Sequence, residues 1–537
     1  MDGAGLDRRS FLKAAGASAA WALLPPVRGS ALTASIPWTI PALREWAPRS
    51  GAFTLRPSTR IVARTPELLP EASLLAGDIA RLTGLTPGVA IGGALAQGDV
   101  GLGLTAADAG LGLEGYRFEA GETIVISANA AEGAFYGTRT LLQLLRQSNA
   151  IPAGVARDWP RYAHRGLMVD IGRQHFSVDW LAARIEEIAY LKLNYLHLHF
   201  TENLGWRIGS ETHPEVVSDE HLTKDQVRGL IELAARHHVA IVPEIDMPGH
   251  MGAALAAHPE LQLRDALGRA NPNNLDYTLP DARRFAFELI EEYLDLFPGP
   301  VWHTGADEYL ITIPAVPTPI DYTLYPHLQA YARERYGRTA TPKDGILGFV
   351  NEVNELVRAH GKTLRVYNDG LSGGRAVTLS PDIEVEWWTD RDGPTPAALL
   401  AAGHRIHNIG WFPTYYVNGF PGGFIPGYPS EELPILPPRP SMRSAYESWD
   451  VHRFYGPLYL NADLSFPPQI ISPDEPGNRG SRLLIWNDDP TVATEEQIAA
   501  GIAPRLRVIA QKTWELPLLT PSYREFQTII DRVGGPP

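Results

Sequence analysis

The stretch GLMVDIGRQHFSVDWLAARIEEIAYLKLNYLHLHF, residues 166–200, decides the fold. It opens with an apolar run of strand length, GLMVDI (166–171). A segment of helical spacing follows, SVDWLAARIEEIAYLK (177–192), and a second apolar run, YLHLHF (195–200), closes it. Strand, helix, strand in this order is the parallel crossover unit. The same texture recurs at AIVPEID (240–246), VWHTGADE (301–308), TLRVYND (363–369), IEVEWWT (383–389), RIHNIG (405–410) and LLIWND (483–488). Helical segments such as KDQVRGLIELAARHH (224–238) and EEQIAAGIAPRLRVIAQK (495–512) lie between them, and Thr223 with Gln226 and Thr494 with Gln497 read as capping boxes. Eight strands alternating with helices over roughly 350 residues predict an α/β fold of the (β/α)8 TIM-barrel type, residues 162–520. An open doubly wound sheet is the rival. It needs fewer units and no chemistry at every strand end.

Ahead of the barrel, residues 38–158 read as a small α/β accessory domain. FTLRPSTRIVAR, GYRFEA and ETIVISA are strand-like, while EASLLAGDIARLTG and EGAFYGTRTLLQLLRQ have helical spacing. SNAIPAGVARDWPRYAHR (148–165) reads as a linker. At the start, DRRSFLKAAGASAAWALLPP carries Arg8-Arg9, then Phe11-Leu12-Lys13, then an Ala-rich apolar run. That layout predicts an export signal of the twin-arginine type over residues 1–34, and an exported mature protein. No other apolar run is long enough to span a membrane. The chain has 537 residues, a net charge of -14 and no cysteine. The charge argues against a nucleic-acid partner, which needs clustered Lys and Arg. The absence of cysteine excludes disulfides, thiolate metal sites and Cys nucleophiles. Thirteen Trp and twenty Tyr supply flat amphipathic rings of the kind that bind sugars.

The strands end in chemistry. Asp170, His199, Glu244, Asp246, Asp307, Glu308, Asn368, Asp369, Trp387, Trp388, Asn408, Trp486, Asn487 and Asp488 all fall at or just past strand ends, the face that builds the active site of a barrel. Carboxylates with aromatic rings point to glycoside hydrolysis. Asp307 and Glu308 are adjacent, however, and neighbours on a strand face opposite ways. They do not suit a nucleophile and an acid facing each other across a bond, which stand about 5–5.5 Å apart in retaining enzymes and about 6.5–9.5 Å in inverting ones. Two Gly/Pro-rich loops, 418–440 and 465–480, read as walls of the site.

AHRGLMVDIGRQHF, LKLNYLHLHFTENLGWRI, VPEIDMPGH, HTGADE and IWND occur in one order and spacing that resembles glycoside hydrolase family 20, the β-N-acetylhexosaminidases. GAFYGTRTLLQLL (133–145) resembles the end of that family's accessory domain. The resemblance implies exo-acting, retaining hydrolysis of terminal β-linked GlcNAc or GalNAc, in which the substrate's own 2-acetamido oxygen attacks and no enzymic nucleophile is needed. It implies that Glu308 is the general acid and base, and that Asp307 receives the acetamide N–H and stabilises the oxazolinium intermediate. Glu202 and His250 match the carboxylate–His pair that tunes the acid, although many members have Asp-Asp where this chain has Glu202-Asn203. Arg165 matches the arginine that binds the sugar's hydroxyls. Trp387 or Trp388, with Trp486, match aromatic walls. Asp488 stands where many members carry Glu, and Asn418 where Asp is frequent. Of Tyr415 and Tyr416, the reading favours Tyr416 as donor to the acetamide oxygen. No motif implies a metal or cofactor, and the histidines lack ligand spacing. The expected partner is a glycan or amino-sugar oligosaccharide. The alternatives are a lacto-N-biosidase-like member releasing a disaccharide, an ordinary two-carboxylate glycosidase using Glu244 or Asp246, and an inactive sugar-binding protein.

Overall fold

The computed structural model describes residues 36–310, 320–390, 392–418, 442–456, 468–514 and 518–537. The expected signal segment, residues 419–440 of the first loop read as a wall and residues 465–467 of the second lie outside the described residues.

Nine parallel strands form one curled sheet: β1 (His164–Asp170), β2 (Tyr195–His199), β3 (Ala240–Glu244), β4 (Val301–His303), β5 (Thr363–Tyr367), β6 (Glu384–Trp387), β7 (Ile406–Asn408), β8 (Tyr415–Asn418) and β9 (Gly480–Asn487). They lie side by side in the order β7-β6-β5-β4-β3-β2-β1-β9-β8. Ile406 of β7 closes the ring low down, donating its N–H to Gly477 O and accepting from Arg479 N–H, both at 2.8 Å. Higher up, β8 takes over beside β9, Val417 opposite Trp486. The last position of the barrel is thus split between two short strands, where the sequence reading expected one.

The alternation of side chains along each strand sorts the residues. Leu167, Val169, Leu196, Leu198, Trp302, Val385 and Ile485 point outward into the main apolar core under the helices. The inward set is charged. Glu244 pairs with His197 Nε2 at 2.9 Å, His199 Nδ1 at 2.7 Å and His303 Nδ1 at 3.0 Å. His303 Nε2 lies 3.3 Å from Glu386, which Arg482 grips. Arg365 binds Glu384 one layer below. Each charge has an opposite neighbour, as buried ions require.

The accessory unit is a seven-stranded mixed sheet, in the order Glu45–Thr54, Ala150–Asp158, Tyr116–Ala120, Ile124–Ala128, Val100–Leu104, Arg60–Ala63, Gly88–Ile91. Half of the segment read as a linker is its strand Ala150–Asp158, and only residues 159–163 separate that strand from β1. Helix Ala131–Gln147 is buried along nearly its whole length. It packs on its own sheet and on the final helix, Tyr523–Val533. Among the described residues, no helix is long and apolar enough to cross a membrane.

Candidate active site

β4 ends at His303, not at residue 308. The chain then turns through left-handed backbone at Gly305 (φ +62°), Ala306 (+68°), Glu308 (+49°) and Leu310 (+63°). Side-chain-bearing residues adopt this conformation at a cost of about 1–2 kcal/mol each, so the surroundings must hold it. They do so amide by amide. Ala306 N donates to Asp246 Oδ1 at 3.2 Å, Glu308 N to Asp369 Oδ2 at 2.8 Å, and Leu310 N to Asn274 Oδ1 at 2.9 Å. Gly305 is obligatory, because a Cβ there would lie 1.8 Å from Asp246 Oδ1. Asp246 and Asp369 are therefore scaffolding for the turn.

This turn corrects the strand argument. Asp307 and Glu308 do not face opposite ways; both open into one pocket, and both approach one nitrogen. His250 Nε2 lies 3.8 Å from Asp307 Oδ2 and 3.5 Å from Glu308 Oε2, while its Nδ1 lies 2.8 Å from Glu202 Oε1. Glu202 is held in turn by Arg173 Nη2 at 2.5 Å. Asp307 Oδ1 is buried and has no hydrogen-bond partner among the described residues, and Asp307 belongs to the lining of the cavity.

The pocket is lined by Arg173, His199, Glu202, His250, Asp307, Glu308, Tyr367, Trp388, Trp411, Tyr415, Val417, Trp486 and Asp488. Trp388 stacks near-parallel to Tyr415 with centroids 6.4 Å apart, and Tyr415 meets Trp486 at 5.9 Å. Trp388 Nε1 is anchored on Asp369 Oδ1 at 2.8 Å. The result is an aromatic cup with carboxylates at its rim.

Burial dominates the electrostatics. It raises Asp307 well above the usual carboxylate range, with Asp246 adding to the effect and His250 opposing it. Asp246 and Asp369 are pushed up to about 7, first by burial and then, against His250 for Asp246, by neighbouring acids. Asp488 rises to about 6 through burial, against the pull of Arg173. His250 runs the other way. Burial disfavours its charge, but Glu202 and Asp307 outweigh it and hold the imidazole well above its ordinary value. The free site thus pairs a cationic histidine with a carboxyl that readily holds a proton.

Three expected site residues lie elsewhere. Arg165 sits near the start of β1, at the end of the barrel opposite the pocket. It is fully buried and donates to Glu114 Oε1 at 2.7 Å and to Tyr162 O at 2.7 Å, which makes it a tie to the accessory domain. Trp387 points outward because its strand neighbour Glu386 points inward; it packs edge-on against Phe454 and donates to Pro394 O. Tyr416 also points outward, against Gly501 and under Arg505, while Tyr415 faces the cup. The structure brings Glu202, His250, Asp307, Glu308, Trp388, Trp486 and Asp488 together. The sequence reading missed Arg173 and Trp411. Arg173 carried a signal: it stands three residues after Asp170, which accepts its backbone N–H at Oδ1 and its guanidinium Nη1 at Oδ2, both at 2.9 Å, and so holds the guanidinium at the pocket. Trp411 carried none, because the short kinked segment that places it precedes an unforeseen strand.

Among known proteins, the family model described as glycosyl hydrolase family 20, catalytic domain, matches residues 162–413, and that for domain 2 of the same family matches residues 37–159. A lacto-N-biosidase of Bifidobacterium bifidum is 30% identical over 93% of this chain and 42% of its own length. A β-N-acetylhexosaminidase of Cellulomonas fimi is 29% identical over 87% of both chains. The solved β-N-acetylhexosaminidase of Streptomyces coelicolor A3(2) superposes with a TM-score of 0.69 at 25% identity, covering 92% of this chain and 96% of that one. The chain spans 42% of the length of the Bifidobacterium protein and 62% of that of a Porphyromonas gingivalis β-hexosaminidase, which is 26% identical over 92% of this chain. With both domain models matched in order and the same fold in solved members, the chain belongs to glycosyl hydrolase family 20.

Proposed function

We propose that the chain is a retaining exo-β-N-acetylhexosaminidase that removes terminal β-linked GlcNAc or GalNAc by substrate-assisted catalysis. The observation that carries this reading is the buried, unpaired acceptor Asp307 Oδ1 beside Glu308 in one aromatic cup. A sugar seated there presents its acetamide N–H to Asp307 and its methyl group to Trp388, Tyr415 and Trp486. The acetamido oxygen attacks the anomeric carbon as Glu308 gives its proton to the departing glycosidic oxygen. Asp307 in its ionised form offsets the positive charge of the oxazolinium. Glu308 then takes a proton from water, which attacks the same carbon and reopens the ring with net retention. The Tyr415 hydroxyl is the donor within the cup for the acetamide oxygen, and Arg173 with Asp488 offers a donor and an acceptor to the ring hydroxyls.

The test is hydrolysis of aryl β-GlcNAc, β-GalNAc and β-Glc side by side, with and without a thiazoline mimic of the intermediate. Turnover of the glucoside, or indifference to the thiazoline, would sink the proposal. Glu308→Gln is expected to lower turnover roughly 10²–10⁴-fold on an unactivated oligosaccharide and less on activated aryl glycosides. Asp307→Asn slows activated and unactivated substrates alike. The Bifidobacterium relative favours a second reading, release of a disaccharide. An aryl disaccharide cleaved far faster than the aryl monosaccharide would select it. Export through the twin-arginine segment is part of the proposal, and loss of export in Arg8→Lys/Arg9→Lys is the result that supports it.

A further inference from the structure

The loops that follow β2 and β3 carry Glu202 and His250, the pair behind Glu308. The same two loops meet again at the surface. His213 and Glu215 come from the first and His258 from the second, and both imidazoles rest on Phe285 at centroid distances of 4.8 and 4.7 Å. His213 Nδ1 and His258 Nε2 converge on one oxygen, Glu215 Oε1, at 3.0 and 2.9 Å. Their other nitrogens also face carboxylates: His213 Nε2 lies 3.1 Å from Glu288 Oε2, and His258 Nδ1 lies 3.2 Å from Glu260 Oε1.

Each ring therefore has a carboxylate oxygen at both nitrogens. A neutral imidazole has one donor and one acceptor, so one of its two contacts would set lone pair against lone pair. Two arrangements resolve this. Both rings carry a second proton, or a cation sits where Nδ1 of His213, Nε2 of His258 and Glu215 Oε1 meet. Either arrangement satisfies all four contacts, and only the second ties the two loops through a shared ion. The inner nitrogens ligate, and the outer N–H groups donate to Glu288 and Glu260, the carboxylate–histidine–metal pattern that fixes tautomer and ring orientation. Around tetrahedral zinc, ligand atoms stand roughly 3.3 Å apart, a few tenths of an ångström beyond the distances here. The side chains are 16%, 42% and 24% exposed for His213, Glu215 and His258, so an ion enters from solvent and water completes the shell. The neighbouring turn is anchored independently: Glu292, on the helix that carries Glu288, accepts from Ser210 Oγ and from the backbone N–H of Glu211.

We propose that His213, Glu215 and His258 form a binding site for a zinc-class divalent ion, which clips together the loops after β2 and β3. Two imidazoles and one carboxylate select a borderline transition ion over Mg²⁺ or Ca²⁺, which demand oxygen ligands. Sequence spacing hides the site, because its ligands lie 45 residues apart on two loops.

The test uses the full chain without a histidine tag, stripped with EDTA and titrated calorimetrically with ZnCl2, MgCl2 or CaCl2. Thermal unfolding is followed in parallel. Zinc is expected to bind at one equivalent per chain attributable to this site and to raise Tm, while magnesium and calcium do neither. His258→Gln and the exposed Glu215→Gln abolish that equivalent. Glu288→Gln weakens it about 10–100-fold through the outer hydrogen bond. Zinc binding that is unchanged in both His258→Gln and Glu215→Gln, or no zinc binding by the parent chain, overturns the proposal. Neither result touches the sugar chemistry.

Discussion

At the scale of single residues, the informative group is Asp246. Its carboxyl is buried, its Oδ1 holds the Ala306 amide, and its Oδ2 has no hydrogen-bond partner among the described residues. Its pKa, about 7 in the fold against 3.8 ordinarily, lies above the unfolded value. The folded state therefore keeps a proton that the unfolded chain releases. The associated stability is complete below the unfolded value and is lost as pH rises through about 7. Asp246→Asn keeps the Oδ1 acceptor and cannot ionise. The variant is expected to match the parent in Tm near pH 4 and to exceed it at pH 8, where its stability is greater by an amount on the order of 1–3 kcal/mol. Asp246 also stands next after burial among the causes that raise Asp307. An identical Tm difference at both pH values would show that Asp246 is not carrying a titrating proton.

At the scale of elements, the parity of strands explains what the sequence made legible. Glu386 inward forces Trp387 outward, and Val417 opposite Trp486 forces Tyr415 inward and Tyr416 outward. Both choices follow from period two once register is known, but register between β8 and β9 comes from the closed barrel. The strands themselves were readable, because their outward residues are apolar. The inward charged column from Glu384 to Glu244 left only scattered His, Glu and Arg inside apolar runs. The turn at 304–310 was the harder case. Its left-handed amides are held by Asp246, Asp369 and Asn274, which are distant in sequence, so local pattern extended the strand five residues too far. Gly305→Ala tests the turn as a unit. The added Cβ meets Asp246 Oδ1 and the residue must keep φ near +62°. A displaced turn of about 1 Å costs roughly 10²-fold in kcat, with a lower Tm. Wild-type turnover in this variant would mean that the turn is not what aims the two carboxylates.

At the scale of the molecule, the two domains are joined by buried charge. Lys192 Nζ reaches Asp158 Oδ2 at 3.1 Å and Tyr116 OH at 2.7 Å, and Trp514 Nε1 donates to Asp158 Oδ1 at 2.9 Å. Arg165 belongs to this interface, gripping Glu114 of the accessory domain beneath the barrel. Its motif resembled a substrate-binding arginine because position in a motif does not say at which end of a strand a side chain emerges. Arg173, after β1, stands at the pocket end. The pair gives a clean separation of roles. Arg165→Met leaves Glu114 without its cation and is expected to lower Tm, at less than the about 3–5 kcal/mol of a fully buried pair because Glu114 reaches solvent and keeps Asn194, with KM for an aryl N-acetylhexosaminide unchanged. Arg173→Met leaves Glu202 paired with His250 alone and removes the guanidinium from the pocket, so KM rises and kcat falls while the interface stays intact. Thermal unfolding and steady-state kinetics on the two variants check this. A raised KM in Arg165→Met with unaltered Tm would return that residue to the sugar, against the buried position it holds on the far side of the barrel.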